Sequence, residues 1–188
     1  MRRRLYSLLL LAILPCTGCK KVGIDASDIA AVSNDDTYAM LAFVWNGVQA
    51  TVNSKKEPLT SPFNLALSYS AACPNGGQRS YQGTLAGTDS AGTGSATLTL
   101  TGSLSACMVD DGTTLRTFVV SGMAVTGTIA ITGDAYAATT AHLTASAVTV
   151  NGTVCEGGID IAIVASSPSS QPTATGTACG RSGVVPLP

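Results

Sequence analysis

The sequence predicts a mainly β protein: an antiparallel meander of about 7–9 strands, as a curved sheet or a sandwich, packed on one N-terminal helix. Three observations lead there. From Phe63 onward apolar residues recur at every second position, the period of a strand with one buried face. Asn-Gly, Asp-Gly and Gly-Gly steps interrupt these runs at short intervals and supply the positive φ that tight hairpin turns need. Only the stretch around residues 35–56 repeats its apolar residues at helical spacing.

Composition sets the outer bounds. Of 188 residues, 10 are Lys or Arg and 11 are Asp or Glu. Charged residues make up 11%, against roughly 25% in an ordinary soluble domain. Hydrophobic residues make up 45%, aromatics 5%, and there is 1 His. A chain this apolar with so little net charge is not disordered. Seven basic side chains beyond Arg4 cannot build the dense basic face of a nucleic-acid binder. The length fits one domain.

The elements follow in chain order. Arg2, Arg3 and Arg4 precede an apolar run, Leu5 to Ile13. A basic stretch followed by a short apolar one reads as an export signal. The run is too short to cross a bilayer as a helix, which takes about 20 apolar residues.

Thr17-Gly18-Cys19 closes this signal and resembles the lipobox of bacterial lipoproteins. The resemblance covers residues 1–19. The position three before the modified Cys, usually Leu in that motif, is Cys16 here, and Pro15 makes Cys16 a poor acceptor. The resemblance implies that residues 1–18 are removed as a lipoprotein signal peptide. Cys19 then carries a diacylglycerol thioether and an acylated amine, palmitate-type chains that hold a bilayer stably where one chain would not. Lys20, rather than Asp, after the Cys implies sorting to the outer membrane. The mature chain keeps seven basic against eleven acidic residues, and residues 19–34 read as a polar tether.

Asn34 or Asp35 is expected to cap the helix, with Asp35 and Asp36 in the first turn, where negative charge is favourable. Tyr38, Leu41, Ala42, Trp45, Val48 and Val52 form its apolar stripe. Lys55 and Lys56 suit its last turn, and Pro58 stops it. Gly47 sits inside at a cost of about 1 kcal/mol relative to Ala, which suggests that a strand approaches there. The stripe reads as packing, with Trp45 as the plug of the core.

The strands come next. Phe63, Leu65, Leu67 and Tyr69 alternate with small or polar residues, as do Ala96, Leu98 and Leu100. Residues 115–131 read either as one long strand bent at Gly122 or as two strands around it, with a break or bulge expected there. His142 falls in a strand with Val148 and Val150, and Ile159, Ile161 and Ile163 form another. Residues 165–176 read as a loop, followed by a short strand ending at Cys179. The helix and strands form a single domain over residues 35–180, and residues 181–188 read as a loose tail. Thr-Gly-Thr phrases recur without a fixed period, which argues against a solenoid. The few aromatics argue against a membrane barrel, which carries aromatic girdles.

After lipidation of Cys19, four cysteines remain: Cys73, Cys107, Cys155 and Cys179. An even number in an exported chain reads as two disulfides. Three pairings are possible. Cys73–Cys107 with Cys155–Cys179 is favoured because each closes a hairpin-scale loop, worth roughly 3–4 kcal/mol apiece on the loop-entropy model. With no closely spaced pair among these four cysteines and one His, a structural zinc site has little support.

The chemistry-bearing residues are few. His142 is the only imidazole and the only candidate base for a Ser-His-Asp hydrolase, but no G-x-S-x-G elbow accompanies it. Asp35/Asp36 suit a helix start and Asp110/Asp111 a hairpin turn. Asn151-Gly152-Thr153 fits a glycosylation sequon but reads better as a turn. No cofactor or metal is implied, and the chain does not read as an enzyme. The expectation is a lipid-anchored envelope protein with a non-enzymatic binding or structural role, its partner an envelope protein or an apolar ligand. A lipid or apolar-ligand carrier on a curved sheet is the first alternative, and a hydrolase using His142 the second. Beyond residue 19 the chain resembles only uncharacterised Thr/Gly-rich bacterial lipoproteins, a similarity that assigns no site.

Overall fold

Ser33 starts the helix. The structure, a computed structural model, describes residues 32–54, 61–110, 112–132, 135–165 and 171–187. Helix α1 runs Asn34–Asn53, and the Ser33 hydroxyl accepts from the Asp36 amide at 3.0 Å. The cap therefore lies one residue earlier than the sequence suggests. Ser33 is extended, with φ −66° and ψ 161°, which aims its side chain back at the free amides of the first turn. The helix closes at Asn53, with the Ser54 amide bonding Thr51 O. Its last turn contains no basic residue, and Lys55, Lys56 and Pro58 lie outside the described residues. Of the expected stripe, Leu41, Trp45, Val48 and Val52 are buried, Ala42 is half-buried and Tyr38 is exposed, while Met40 and Val44 join the buried face.

The remaining elements are strands: β1 Phe63–Ala72, β2 Gln78–Ser90, β3 Thr93–Asp110, β4 Leu115–Thr132, β5 Ala135–Val150, β6 Thr153–Val154, β7 Ile159–Val164, β8 Thr173–Ala178 and β9 Arg181–Pro186. They form one nine-stranded antiparallel sheet in the order β1-β2-β3-β4-β5-β7-β8-β9, with β6 paired to β5. The meander is thus a single sheet, not a sandwich.

Of the two readings of residues 115–131, the structure has the single long strand bent at Gly122. Gly122 adopts φ 63°, and the β3–β4 register shifts at Gly102/Leu104 and again at Leu104/Cys107. The irregularity bends β4 without ending it, so β3 and β4 each reach 18 residues. The tail is not loose, because Arg181–Pro186 pairs with β8 from Ala178↔Arg181 to Thr173↔Pro186. Cys179 (φ 52°) and Gly180 (φ 72°) make a two-residue turn whose positive φ values match the twist of a hairpin. With β8 beginning at Thr173, the loop before it is also shorter than the sequence indicates.

The sheet curls around the helix. Adjacent strands lie about 4.8 Å apart, so eight strands in a flat row would span roughly 34 Å, about three times the 10–12 Å width of a helix. Yet α1 packs on β1, β2 and β5, Phe43 meets Phe118 of β4 at 6.2 Å, and Arg181 of β9 donates from Nε to Val32 O at 2.9 Å. Only a strongly curved sheet brings both flanks to one helix. On its inner face Leu67, Gly83, Leu100, Val125, Leu143, Ile161, Gly176 and Gly183 form one row across the strands. Gly47 of α1 fits against the Tyr81 ring, which a Cβ at Gly47 would strike. Tyr81 Oη donates to Val44 O at 3.3 Å.

Disulfides clasp the two flanks. Cys73–Cys107 ties the β1–β2 turn to β3, and Cys155–Cys179 ties the β6–β7 turn to the β8–β9 turn. Backbone bonds reinforce both, including Met108 N to Gly76 O at 2.9 Å and Cys179 N to Gly158 O at 2.9 Å. The register puts both bridges at the same end of the sheet, the end where Arg116 Nε meets Asp36 Oδ1 at 2.7 Å in the first turn of α1.

Candidate functional site

A cavity on the inner face lies beside the helix. Its volume is about 390 Å³, and it lies between the N-terminal half of α1 and strands β7–β9. Tyr38 and Leu41 line it from the helix, and Ile161, Ala174, Gly176, Gly183 and Val185 from the sheet. Asn34, Asp35 and Arg181 stand among its lining residues as polar groups. The local sequence explains the gap. The inner row carries Leu100, Val125, Leu143 and Ile161 on β3, β4, β5 and β7 but ends in Gly176 and Gly183 on β8 and β9. The β8 and β9 face therefore recedes from α1, leaving Tyr38 38% exposed.

The outer face is built from hydroxyls. Thr84, Thr99, Thr126 and His142 stand side by side across β2–β5, and Thr97, Thr128 and Thr140 form the next row. All are exposed. A second hollow of about 500 Å³ involves Ser68, Ser70, Ser80, Gln82, Thr101 and Ser103, with Ser80 Oγ and Ser103 Oγ hydrogen-bonded at 3.0 Å. Neutral, freely rotating hydroxyls present both donors and acceptors and carry no charge that would select an ionic partner.

His142 does acquire a carboxylate neighbour. Its Nε2 lies 2.7 Å from Asp160 Oδ1, because the β5–β7 register pairs His142 with Ala162 and Thr144 with Asp160, which makes His142 and Asp160 diagonal neighbours. Their side chains are 54% and 66% exposed, and such pairs in water contribute little. Neither residue lines the cavities described above. A catalytic base needs a positioned nucleophile and a site that excludes water. Thr126 sits opposite His142, but on an open sheet face.

The other candidate residues have structural work. Asp36 pairs with Arg116. Asp110 Oδ1 accepts from the Gly112 amide at 2.8 Å, an Asx turn that begins the β3–β4 connection; Asp111 lies outside the described residues. Asn151 occupies its hairpin turn with φ 51° and accepts from the Thr117 amide at 2.8 Å. Cys73, Cys107, Cys155 and Cys179 are all in disulfides. Cys19 lies outside the described residues. Among the described residues, no three His, Cys, Asp or Glu side chains are grouped to hold a metal ion.

The cavity is the feature that sequence reading misses. Its only sequence signals are the glycines of Thr-Gly-Thr at 175–177 and Ser-Gly-Val at 182–184, which carry no meaning until β8 and β9 are known to face the helix. Comparison with protein-family models, curated proteins and solved structures finds no match to this chain.

Proposed function

We propose that the protein is a lipid-anchored component of the bacterial cell envelope, held by acylated Cys19 in the outer membrane, that works by binding rather than by catalysis. The two disulfides are the observation that supports this reading. Such bonds persist in oxidising compartments outside the cytoplasm, which agrees with the export signal that ends at Cys19. The clasped end of the sheet is also the end where Val32 meets Arg181, so a tether leading from Cys19 joins the most heavily cross-linked part of the fold. Cys19→Ala tests the anchor. The wild-type protein is expected in the membrane fraction with incorporated palmitate, and the variant is expected to be soluble and unlabelled. A variant that stays in the membrane fraction sinks the lipoprotein reading.

A second reading, carriage of an apolar ligand, is favoured by the cavity between α1 and β7–β9. Analysis of lipid extracts from the purified native protein tests it. A stoichiometric apolar molecule supports carriage, and its absence counts against it.

A further inference from the structure

We propose that the cavity between α1 and β7–β9 binds a single acyl chain ending in a carboxylate, with the chain lying over Gly176 and Gly183 and the carboxylate meeting Arg181. This rests on the carriage reading and gives it a site and a ligand class.

Gly183 carries the argument. Gly176, beside it, has φ 144°, and a Cβ there would collide with Asp160 O, so the backbone itself requires glycine. Gly183 has no such need. Its φ lies outside the left-handed region, and an added Cβ meets nothing within 4 Å. Side chains alternate across a strand, so Gly183 shares the inward face with Arg181 and Val185, both of which line the cavity. Gly183 is exposed on the edge strand and an added Cβ would stand in open space, so a bulky apolar side chain there would project over the cavity between Arg181 and Val185. Without a side chain at this position the cavity stays open on its β9 side.

The lining defines the occupant. Leu41, Ile161, Ala174 and Val185 offer apolar walls, and about 390 Å³ falls within the roughly 300–1,000 Å³ of small-ligand pockets. Arg181 uses Nε on Val32 O, and its guanidinium carries further donors in a fork that suits a carboxylate. Asp35 stands on the same lining and disfavours a multiply charged head such as phosphate.

Calorimetric titration of the purified, disulfide-intact protein with decanoate and with decanol is the test. Decanoate is expected to bind more tightly than decanol. Gly183→Leu should weaken both by about ten-fold or more while the circular dichroism spectrum and thermal midpoint hold or improve. Arg181→Gln should weaken decanoate and leave decanol unchanged. Should Gly183→Leu fail to fold, Val185→Phe occludes the same space from the next inward position. The proposal is overturned if neither probe binds, if binding appears only after residues 20–31 are deleted (that segment then being the occupant), or if decanol binds as well as decanoate. Equal binding to wild type and Gly183→Leu also overturns it, placing the ligand elsewhere while the carriage reading survives.

Discussion

Gly47 and Tyr81 set how closely the helix meets the sheet. On helix propensity alone, Gly47→Ala would stabilise by about 1 kcal/mol. Here the new Cβ strikes the Tyr81 ring, and overpacking a core costs typically 1–3 kcal/mol. Gly47→Ala is therefore expected to lower stability in urea unfolding; a gain would show that the ring yields freely. Tyr81 also couples the fold to alkaline pH. Burial pushes its phenol above the ordinary 10.0, against the pull of the Arg79 charge, and Tyr69 adds a smaller upward push. The folded state thus holds the neutral phenol more firmly than the unfolded chain does. That contribution is fully present below pH 10 and is lost as pH rises from there through the raised folded value. Tyr81→Phe should lose about 0.5–1.5 kcal/mol at neutral pH with the bond to Val44 O, and its stability should fall less steeply above pH 10. A parallel alkaline decline in both proteins would assign the titration to other groups. The sequence marks Gly47 as a place of close approach, but nothing local names Tyr81, 34 residues away, as what approaches.

At the scale of elements, legibility follows the turns. Asn151-Gly152 announces its hairpin because both residue types tolerate positive φ. Ala91-Gly92 and Cys179-Gly180 turn with φ values of 53° and 80°, and 52° and 72°, yet their first residues carry no such preference. This is why β2 and β9 are hard to read in advance: their far ends are fixed by pairing with β3 and β8 and not by local chemistry. The disulfides then lock the meander by its flanks. Their sequence separations are 34 and 24 residues, so loop entropy makes the first worth only about 0.3 kcal/mol more than the second. Replacing either pair by Ala should cost about 2–5 kcal/mol in guanidinium unfolding, with similar losses for the two. A large loss for one pair and none for the other would mean that one flank holds without its clasp.

For the whole molecule, the scarcity of charge has a specific location. Only nine charged residues follow Glu57. Arg79, Arg116 and Arg181 turn toward the helix, where Arg79 lies over the Phe43 ring at 5.0 Å, Arg116 meets Asp36, and Arg181 meets Val32. Apart from His142 and Asp160, the outer face of β2–β5 is built largely from Thr and Ser, residues that suit strands and satisfy water without charge. The sequence by itself determined the class of the fold, the helix and most of its buried stripe, and several of the hairpin turns, because each depends on residues close together in the chain. For Cys73, Cys107, Cys155 and Cys179 it also favoured the observed disulfide pairing through loop length. The tertiary structure alone decided that the meander is one sheet curled around the helix, that the last residues form β9, that His142 finds Asp160, and that Gly176 and Gly183 open a cavity beside the helix. Those outcomes depend on cross-strand register and curvature, through which residues distant in sequence become neighbours.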